Sequence, residues 1–333
     1  MTSIEKPLAV RQQEWPEDMK PVVSIACLAY NHEGFIRDAL ESFLDQETTF
    51  KVEILIHDDA SSDDTAEIIR EYEMEWPQLF SVIYQEENQY SKGNQPGDLN
   101  LRRARGRYIA LCEGDDYWTD PLKLQKQVGY LEDHPDYSVC VGGYTRFIEP
   151  ENKIGSTYIT SLDDESKEGF TFTLKEMKQT WLTKLLTSVV RREILESYDP
   201  TVYEYHRDIH FFYHLIKGQK AYYMRENFGV HRVHPGGINS MKQGVVNSRA
   251  AYNCYKELYE HNRDEFTRHM HLKTSLGLFN FNLYNRYEDN SLWNNLRLYG
   301  RTVLLVRSLT EAKWLFTAFI KASFKEKIKE IMS

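Results

Sequence analysis

The fold is decided by the stretch VEILIHDDASSDDT (residues 52–65), in which an apolar run ends abruptly in acidic and hydroxyl side chains. A second stretch, YIALCEGDD (residues 108–116), repeats the pattern. Each apolar run is too short for a helix and is bounded by polar residues, which predicts a buried strand. In an open α/β sheet, ligands bind beyond the carboxyl ends of the strands. The two acidic clusters are therefore predicted to meet at one crevice, where a nucleotide and a hard metal ion would bind.

Strand and helix patterns alternate over residues 22–135, and this alternation predicts a doubly wound, mostly parallel α/β sheet. The patterns over residues 136–240 are mixed, and from about residue 241 the chain becomes helical. The predicted strands cover residues 22–30, 52–58, 80–85 and 108–112, and the helices between them are predicted to begin at Glu33, at Ser61 or Ser62, near Leu99 and at Asp120.

The composition excludes several classes of protein. A net charge of −9 argues against a nucleic-acid partner, which usually requires a basic face. The four cysteines form no CxxC pair, and Cys27, Cys112 and Cys140 lie in or beside apolar runs, which predicts buried thiols in a reducing compartment. Residues 1–20 have no apolar core, and no apolar run reaches the length of a membrane span. The sequence therefore predicts a cytoplasmic protein without a membrane span.

The C-terminal tail, residues 301–333, differs in charge from the rest of the chain. Its seven Lys or Arg and three Glu give +4, which leaves −13 for the other residues. Apolar side chains recur in it at helical spacing with basic residues between them, a pattern typical of a helix that lies on an anionic bilayer. The alternative is a helix that packs on its own domain. The apolar positions are Phe316, Ile320, Phe324, Ile328 and Ile331.

Three stretches that follow one another along the chain resemble the inverting family 2 glycosyltransferases with the GT-A fold: VSIACLAYNHE (23–33), IHDDAS (56–61) and EGDD (113–116). The resemblance covers about residues 22–240. It implies a GT-A domain over residues 21–240, with a Rossmann-like nucleotide-sugar half over 21–135 and a mixed acceptor half over 136–240, between an N-terminal extension over 1–20 and a helical C-terminal region over 241–333.

The resemblance implies a donor site at the ends of the predicted strands. Asp115 corresponds to the DxD-type metal ligand, and Glu113 occupies the first acidic position, where the family usually has Asp. Asp58 corresponds to the residue that accepts a hydrogen bond from the nucleotide base, on which Tyr30 is expected to stack. Asp116 is expected to contact the sugar or to hold the loop. The same rim is expected to include Asn31 and Glu33.

The chemistry of a sugar nucleotide also favours a metal ion here. Negative charge grows on the diphosphate leaving group as the glycosidic bond breaks, and a cation held by carboxylates neutralises it. Mn²⁺ or Mg²⁺ suits such an oxygen-rich site. The stretch HRVHPGG (231–237) resembles the family's closing motif, in which His234 is expected to complete the metal site or contact the diphosphate. The alternative is a structural loop histidine.

Inverting transfer also needs a general base that takes the proton from the acceptor hydroxyl. Asp208 is the candidate, because HRD (206–208) precedes an apolar helical pattern and resembles the family's acidic motif. A position in the first turn of a helix favours the ionised carboxylate. The acid often found immediately before the base is replaced by Arg207. The alternative for Asp208 is an ordinary N-terminal helix acid.

Three further features each have two interpretations. Trp118 is expected to pack against the sugar ring or to belong to the core. The polar loop over residues 86–97 is expected to fold over the nucleotide or to be a plain surface loop. His206, His210 and His214 are spaced as one helix face that can bind zinc, although no nearby Cys or HExxH pattern accompanies them.

These features predict an inverting, metal-dependent glycosyltransferase of polysaccharide biosynthesis. It would move a sugar from a nucleoside diphosphate donor, UDP first, to a hydroxyl of a glycan or of a lipid-linked acceptor at the inner membrane face. Two other classes stay open. A sugar-nucleotide pyrophosphorylase would need a Gly-rich loop after the first strand, and AYNHEG (29–34) is not one. A catalytically inactive sugar-nucleotide-binding or scaffold protein would fit the incomplete motif at Arg207.

Overall fold

A computed structural model describes most of the 333-residue chain, namely residues 5–158, 168–237, 244–284 and 292–317. The chain divides into two compact units, each formed from two separate stretches. A short segment, Thr201–His210, groups with the C-terminal residues. The first unit comprises Met1–Pro200 and Phe211–Ser240, and the second comprises Thr201–His210 and Met241–Ser333.

The first unit contains one mixed sheet of ten strands in the order β10-β12-β8-β11-β6-β2-β4-β5, with β7 beside β12 and β9 beside β8. Two short strands, β1 and β3, pair separately. The strands are β1 (Leu8–Ala9), β2 (Val23–Ala29), β3 (Glu47–Thr48), β4 (Val52–Asp58), β5 (Phe80–Tyr84), β6 (Tyr108–Leu111), β7 (Tyr117–Trp118), β8 (Tyr137–Ile148), β9 (Lys153–Tyr158), β10 (Gly169–Phe172), β11 (Val189–Arg191) and β12 (Lys220–Val233).

Helices flank this sheet in the first unit and form the second. They are α1 (Ile36–Leu44), α2 (Thr65–Glu75), α3 (Gly97–Arg103), α4 (Lys123–Asp133), α5 (Leu174–Met177), α6 (Asp208–Ile216), α7 (Gly244–Asn262), α8 (Glu265–Tyr284) and α9 (Leu292–Val303). Residues 309–317 are also helical.

The strands β6, β2, β4 and β5 run parallel, and they form the half of the sheet that the alternating pattern predicted. Every residue of β4 is buried, because helices cover both faces of a parallel sheet and leave no solvent-facing side. The predicted α/β fold class is confirmed. The carboxyl ends of β2, β4 and β6 lie at one edge, so the segments that follow them come together there.

The other half of the sheet is mixed. β11 pairs antiparallel with both β6 and β8 and so joins the two halves. β12 runs parallel to β8 and near its end pairs with β7, where Val230 lies opposite Tyr117. Because β7 directly follows the acidic cluster, this pairing places the end of β12 beside that cluster.

Helix starts differ from the sequence prediction by a few residues. α1 begins at Ile36 instead of Glu33, because the backbone first forms a turn on the carbonyl of His32. α2 begins at Thr65, because the Ser61 hydroxyl donates to Asp58 and does not cap the helix. α4 begins two residues after Pro121, since Asp120 Oδ1 accepts the Leu122 N–H in a turn before the helix.

The second unit contains α7, α8, α9 and the helical residues 309–317. A small apolar cluster joins α8, the turn after α9 and the helical residues 309–317. Among the described residues, no helix combines the length and the apolar composition that crossing a bilayer requires. The cluster consists of Leu272, Leu276, Leu305 and Leu315. Four of the predicted apolar tail positions, Ile320, Phe324, Ile328 and Ile331, lie outside the described residues.

Candidate active site

The loop after β4 is hydrogen-bonded to the carboxylate of Asp58. Asp58 accepts hydrogen bonds from Ser61 Oγ at 2.5 Å and from Ser61 N at 3.2 Å. Its side chain is almost fully buried, and burial raises the pKa of Asp58 although both bonds from Ser61 oppose the shift. Asp58 therefore lies at the strand end where the resemblance places the base-binding residue, with its carboxylate oriented by Ser61.

Asn31 and Glu33 connect the loop after β2 to the loop after β4. Asn31 has a left-handed backbone with φ of 53°, and its Oδ1 accepts the Ser62 N–H at 2.8 Å. Glu33 Oε2 accepts the Asp64 N–H at 3.1 Å. Both side chains thus hold the rim together. Tyr30 beside them is 43% exposed, so its ring is accessible to a ligand.

The acidic side chains Glu113, Asp115 and Asp116 follow β6, and one ligand atom of each lies within 4.8 Å of the others. Asp115 Oδ2 accepts a hydrogen bond from His234 Nε2 at 3.1 Å, whereas Asp115 Oδ1 is buried with no hydrogen-bond partner. Burial opposes ionisation of Asp115, but His234 and His32 outweigh it and lower the pKa of the carboxyl. A charged, buried and unpaired oxygen is costly unless a ligand binds it. The residues present therefore fit a divalent cation.

His32 is a member of this cluster that the sequence interpretation did not propose as a site residue. His32 Nε2 lies 4.0 Å from Asp115 Oδ2, and its ring packs edge-on to that of His234 with 6.3 Å between centroids. Burial lowers the pKa of His32, which favours the neutral imidazole that binds metals. The available signal was its position between Asn31 and Glu33, directly after the first predicted strand.

Asp116 connects the acidic loop to the end of β12. Its carboxylate is 1% exposed, and its Oδ1 accepts the Arg232 backbone N–H at 2.9 Å and the His231 Nδ1–H at 3.1 Å. Arg232 Nη1 in turn donates to the Asp115 carbonyl at 3.1 Å, and its guanidinium lies 4.5 Å from the Tyr117 ring centroid. Asp116 and Arg232 thus fix the end of β12 to the acidic loop. Sequence reasoning did not identify Arg232.

The expectation that Trp118 packs against a sugar is wrong, because its ring belongs to the core. Trp118 is 4% exposed, and its Nε1–H donates to the Leu186 carbonyl at 2.7 Å. The ring packs against Phe43 with 4.8 Å between centroids, and Lys123 Nζ lies 4.2 Å from the Trp118 centroid. Neither face of the indole is available for a ligand.

The loop over residues 86–97 is attached to the end of β4. Asp59 Oδ1 accepts the Gln89 N–H at 2.8 Å, and Asp59 Oδ2 accepts the Tyr90 N–H at 3.0 Å. His57, fully buried, donates from Nδ1 to the Pro96 carbonyl at 2.8 Å. These bonds hold both ends of the loop at the edge of the sheet where Asp58 lies.

Asp208 is the first residue of α6 and belongs to the second unit. The preceding turn is fixed by Glu257 on α7, whose carboxylate accepts the Glu204 N–H at 2.6 Å and the Tyr205 N–H at 3.1 Å. His210 also faces this carboxylate, with 3.6 Å between His210 Nε2 and Glu257 Oε2. The turn that leads to the candidate base is therefore well ordered within its unit.

The histidines of the predicted zinc face contact different parts of the structure. His210 Nδ1 accepts the Arg207 N–H at 3.1 Å, and His214 Nε2 lies 2.9 Å from the Ile194 carbonyl. His206 packs near His210 with 5.7 Å between ring centroids. Among the described residues, these histidines do not form a cluster close enough to hold a metal ion, whereas the acidic cluster after β6 does.

Comparison with known proteins gives the family and the fold. The family model for glycosyl transferase family 2 matches residues 24–199. An uncharacterized Mycobacterium tuberculosis protein, Rv1520, is 52% identical over 118 residues, 35% of this chain and 34% of that protein. The Escherichia coli UDP-Glc:alpha-D-GlcNAc-diphosphoundecaprenol beta-1,3-glucosyltransferase WfaP is 40% identical over 114 residues, 33% of this chain and 41% of that protein. The matches thus span less than half the length of these relatives.

Two solved structures share the fold. One is Staphylococcus aureus TarS 1–349 in complex with UDP, with a TM-score of 0.61, 19% identity, and coverage of 91% of this chain and 88% of the other. The second is a Pyrobaculum calidifontis mannosyltransferase, PcManGT, in complex with GDP-Man and Mn²⁺, with a TM-score of 0.53, 16% identity, and coverage of 95% and 91%. Because the family model matches more than half of the 333 residues, the chain belongs to glycosyl transferase family 2.

Proposed function

We propose that the protein is an inverting, metal-dependent glycosyltransferase that moves a sugar from a nucleoside diphosphate donor to a hydroxyl of a glycan or lipid-linked acceptor. The observation on which this proposal rests is Asp115 Oδ1, which is buried and has no hydrogen-bond partner. Glu113 and the two histidines His32 and His234 lie close to the same carboxylate. A structural acid at a strand end would have both oxygens satisfied by nearby N–H groups, as Asp59 has from the N–H groups of Gln89 and Tyr90.

The cation would be held by Asp115, with His234 and Glu113 beside it. Mn²⁺ accepts mixed oxygen and imidazole ligands, and Mg²⁺ prefers oxygen. When bound, such an ion neutralises the charge that develops on the departing diphosphate. Arg232 maintains the site by holding the Asp115 carbonyl, so the carboxylate and His234 keep their separation without a ligand.

The nucleotide would lie on the rim formed by the loops after β2 and β4. The exposed ring of Tyr30 offers a stacking surface for the base. Asp58 has one carboxylate oriented by Ser61 and retains acceptor capacity for an N–H of the base. A uracil N–H would suit this acceptor, and UDP is the nucleotide bound to TarS and the donor nucleotide in the name of WfaP.

Asp208 would act as the general base. In the first turn of α6 its carboxylate is favoured in the ionised form, in which it takes the proton of the acceptor hydroxyl. The freed oxygen attacks the anomeric carbon from the face opposite the nucleotide, which inverts the configuration. Asp208→Asn is expected to abolish transfer and to leave nucleotide affinity unchanged; retained turnover would contradict the assignment.

The donor site is tested by calorimetric titration of UDP, GDP, dTDP and CDP, each with and without Mn²⁺. We expect one nucleotide to bind in a metal-dependent manner to the wild type and to lose that dependence in Asp115→Ala. Asp136→Ala is the matched control, because Asp136 forms an exposed surface pair with Lys220. Absence of binding in every condition would overturn the proposal.

Reaction products separate the remaining alternatives. A transferase releases nucleoside diphosphate from its donor, whereas a pyrophosphorylase releases pyrophosphate when it forms a sugar nucleotide. A scaffold protein that binds sugar nucleotides without turnover would show metal-dependent binding and neither product. Replacement of the family's usual acid by Arg207 keeps this last alternative relevant to the experiment.

A further inference from the structure

The end of the described chain exposes apolar side chains to an extent seen nowhere else in its described residues. Fourteen large hydrophobic residues are exposed among all the described residues, and five of the fourteen lie within residues 303–316. Leu304 and Leu309 are 84% and 83% exposed. The five residues, called the apolar patch below, are Val303, Leu304, Leu309, Trp314 and Phe316.

The same segment is basic at its surface. Residues 292–317 contain four basic side chains, and all of them are exposed. Their one acid, Glu311, is buried and accepts hydrogen bonds from Arg268 Nη2 at 2.7 Å and from Arg268 Nη1 at 3.1 Å. Its negative charge is therefore neutralised inside the unit. The four basic residues are Arg297, Arg301, Arg307 and Lys313.

The helical residues 309–317 have two distinct faces. One face packs inside the second unit through Glu311 and Leu315, which are each 7% exposed. The opposite face presents Leu309, Lys313 and Phe316, which are spaced at i, i+4 and i+7 and so share one side of a helix. The sequence left open the alternative that this helix packs on its own domain. That alternative accounts for the first face, but it does not explain why the second face is apolar and exposed.

We propose that the apolar patch and its four basic residues bind the surface of an anionic phospholipid bilayer. Apolar side chains inserted at the headgroup boundary, with Arg and Lys beside anionic lipids, are the two interactions that hold a peripheral helix at a membrane. A symmetric dimer through the same surface would place the four basic residues of one copy against those of the other, which is unfavourable. Membrane binding through this patch does not depend on the proposed transfer reaction, and it would bring the protein to the surface at which a lipid-linked acceptor lies.

Vesicle co-sedimentation tests the proposal on the full chain. We expect the wild type to bind vesicles that contain phosphatidylglycerol and to bind pure phosphatidylcholine vesicles weakly. Replacing Arg301, Arg307 and Lys313 by Gln is expected to weaken binding to the anionic vesicles about a hundredfold, since each basic residue near such a surface contributes roughly fivefold. The apolar variant Leu304→Ser/Leu309→Ser/Phe316→Ser is expected to reduce binding at least about tenfold.

Met74→Ser is the matched control, because Met74 is 74% exposed on α2, away from the apolar patch in sequence. Thermal unfolding and nucleotide titration of each variant establish that the fold and the donor site are retained. The proposal would be overturned if the wild type did not bind the anionic vesicles. It would also be overturned if the charge variant, the apolar variant and the control all bound them as tightly as the wild type does. A concentration-dependent dimer that the apolar variant abolishes, without vesicle binding by the wild type, would assign the surface to a second copy instead.

Discussion

Gly114 separates Glu113 from Asp115 at a place without room for a side chain. A Cβ built on its backbone would lie 2.8 Å from Ile36 Cδ1 and 2.9 Å from His32 Nδ1. Because both neighbours are largely buried, the added methyl would displace His32 from Asp115. We expect Gly114→Ala to weaken Mn²⁺ binding and to lower the free energy of unfolding by about 1–3 kcal/mol, measured by calorimetric titration and by urea unfolding.

Gly129 provides the matched control. It lies within α4, and a Cβ added there meets no atom within 4 Å. Gly129→Ala is expected to raise the free energy of unfolding by about 0.5–1 kcal/mol, the usual gain from helix propensity, and to leave Mn²⁺ affinity unchanged. Equal Mn²⁺ affinity in Gly114→Ala and the wild type would show that His32 does not contribute to the site.

Lys123 is a fully buried amine with no hydrogen-bond partner for Nζ. Burial lowers the pKa of Lys123 to about 7, although the nearby Cys112, Cys140 and Asp120 oppose the shift. Between this pKa and the ordinary value of 10.5, the unfolded chain binds a proton that the folded chain does not. The free energy of unfolding should therefore rise with pH across that window, and below pH 7 the full cost of burying a charged amine applies.

Lys123→Met should remove this pH dependence and stabilise the protein at pH 7, by on the order of 2 kcal/mol. Urea unfolding of the wild type and the variant between pH 7 and pH 10 measures both effects. Lys220→Met, which changes an exposed lysine paired with Asp136, is expected to leave the slope unchanged. A parallel pH profile in Lys123→Met and the wild type would mean that Lys123 is solvated in solution.

At the scale of elements, Asp59 attaches the loop over residues 86–97 to the sheet. Its two oxygens each accept one loop N–H, from Gln89 and from Tyr90. Asp59→Asn keeps one acceptor oxygen and replaces the other by an amide donor. We expect the amide hydrogens of Gln89 and Tyr90 to exchange about tenfold faster, as the loss of one buried hydrogen bond of about 1.4 kcal/mol implies. Hydrogen-exchange mass spectrometry measures this change.

Glu87→Gln is the control in the same loop, since Glu87 pairs with Lys92 at the surface. It is expected to leave exchange at residues 89 and 90 unchanged. If Asp59→Asn also leaves exchange unchanged, the loop is held by other contacts, such as the bond from Asn88 Nδ2 to the Asp59 carbonyl and the bond between His57 and the Pro96 carbonyl.

Elements could be predicted from sequence where one physical signal dominated. The strands β2 and β4 followed from short, mostly apolar runs, because a strand that is buried on both faces has few polar positions. Helix starts were less accurate, because Ser61 and Asp120 bond to turns instead of capping helices. Trp118 was ambiguous for a different reason: an indole next to an acidic motif has the same sequence signal whether it faces a ligand or the core.

Site residues whose role comes from a partner far along the chain could not be predicted from the sequence. Arg232 lies over a hundred positions after Asp116, and only the pairing of β12 with β7 brings the two together. The acidic clusters could be predicted, because each directly follows a strand and parallel strands end at one edge of the sheet. Their assignment to a donor site further required the ordered resemblance to a known family.

At the scale of the whole molecule, the two units differ in the extent of their described cores. Among the described residues, fifty-two buried apolar side chains belong to the first unit and eleven to the second. Less buried apolar surface per unit predicts lower resistance to local unfolding. The second unit is therefore expected to open at lower urea concentrations than the first.

The reactivity of the four cysteines can measure this difference, because all four thiols are free and buried. The first unit contains Cys27, Cys112 and Cys140, and the second contains Cys254. Burial raises the pKa of Cys254 to about 11, so the native thiol is both inaccessible and protonated and should react slowly with Ellman's reagent. In low urea we expect one thiol to react in an early phase and three in a later one. Cys254→Ser should remove the early phase alone. A single phase for all four thiols, with one dependence on urea, would show that the two units unfold together.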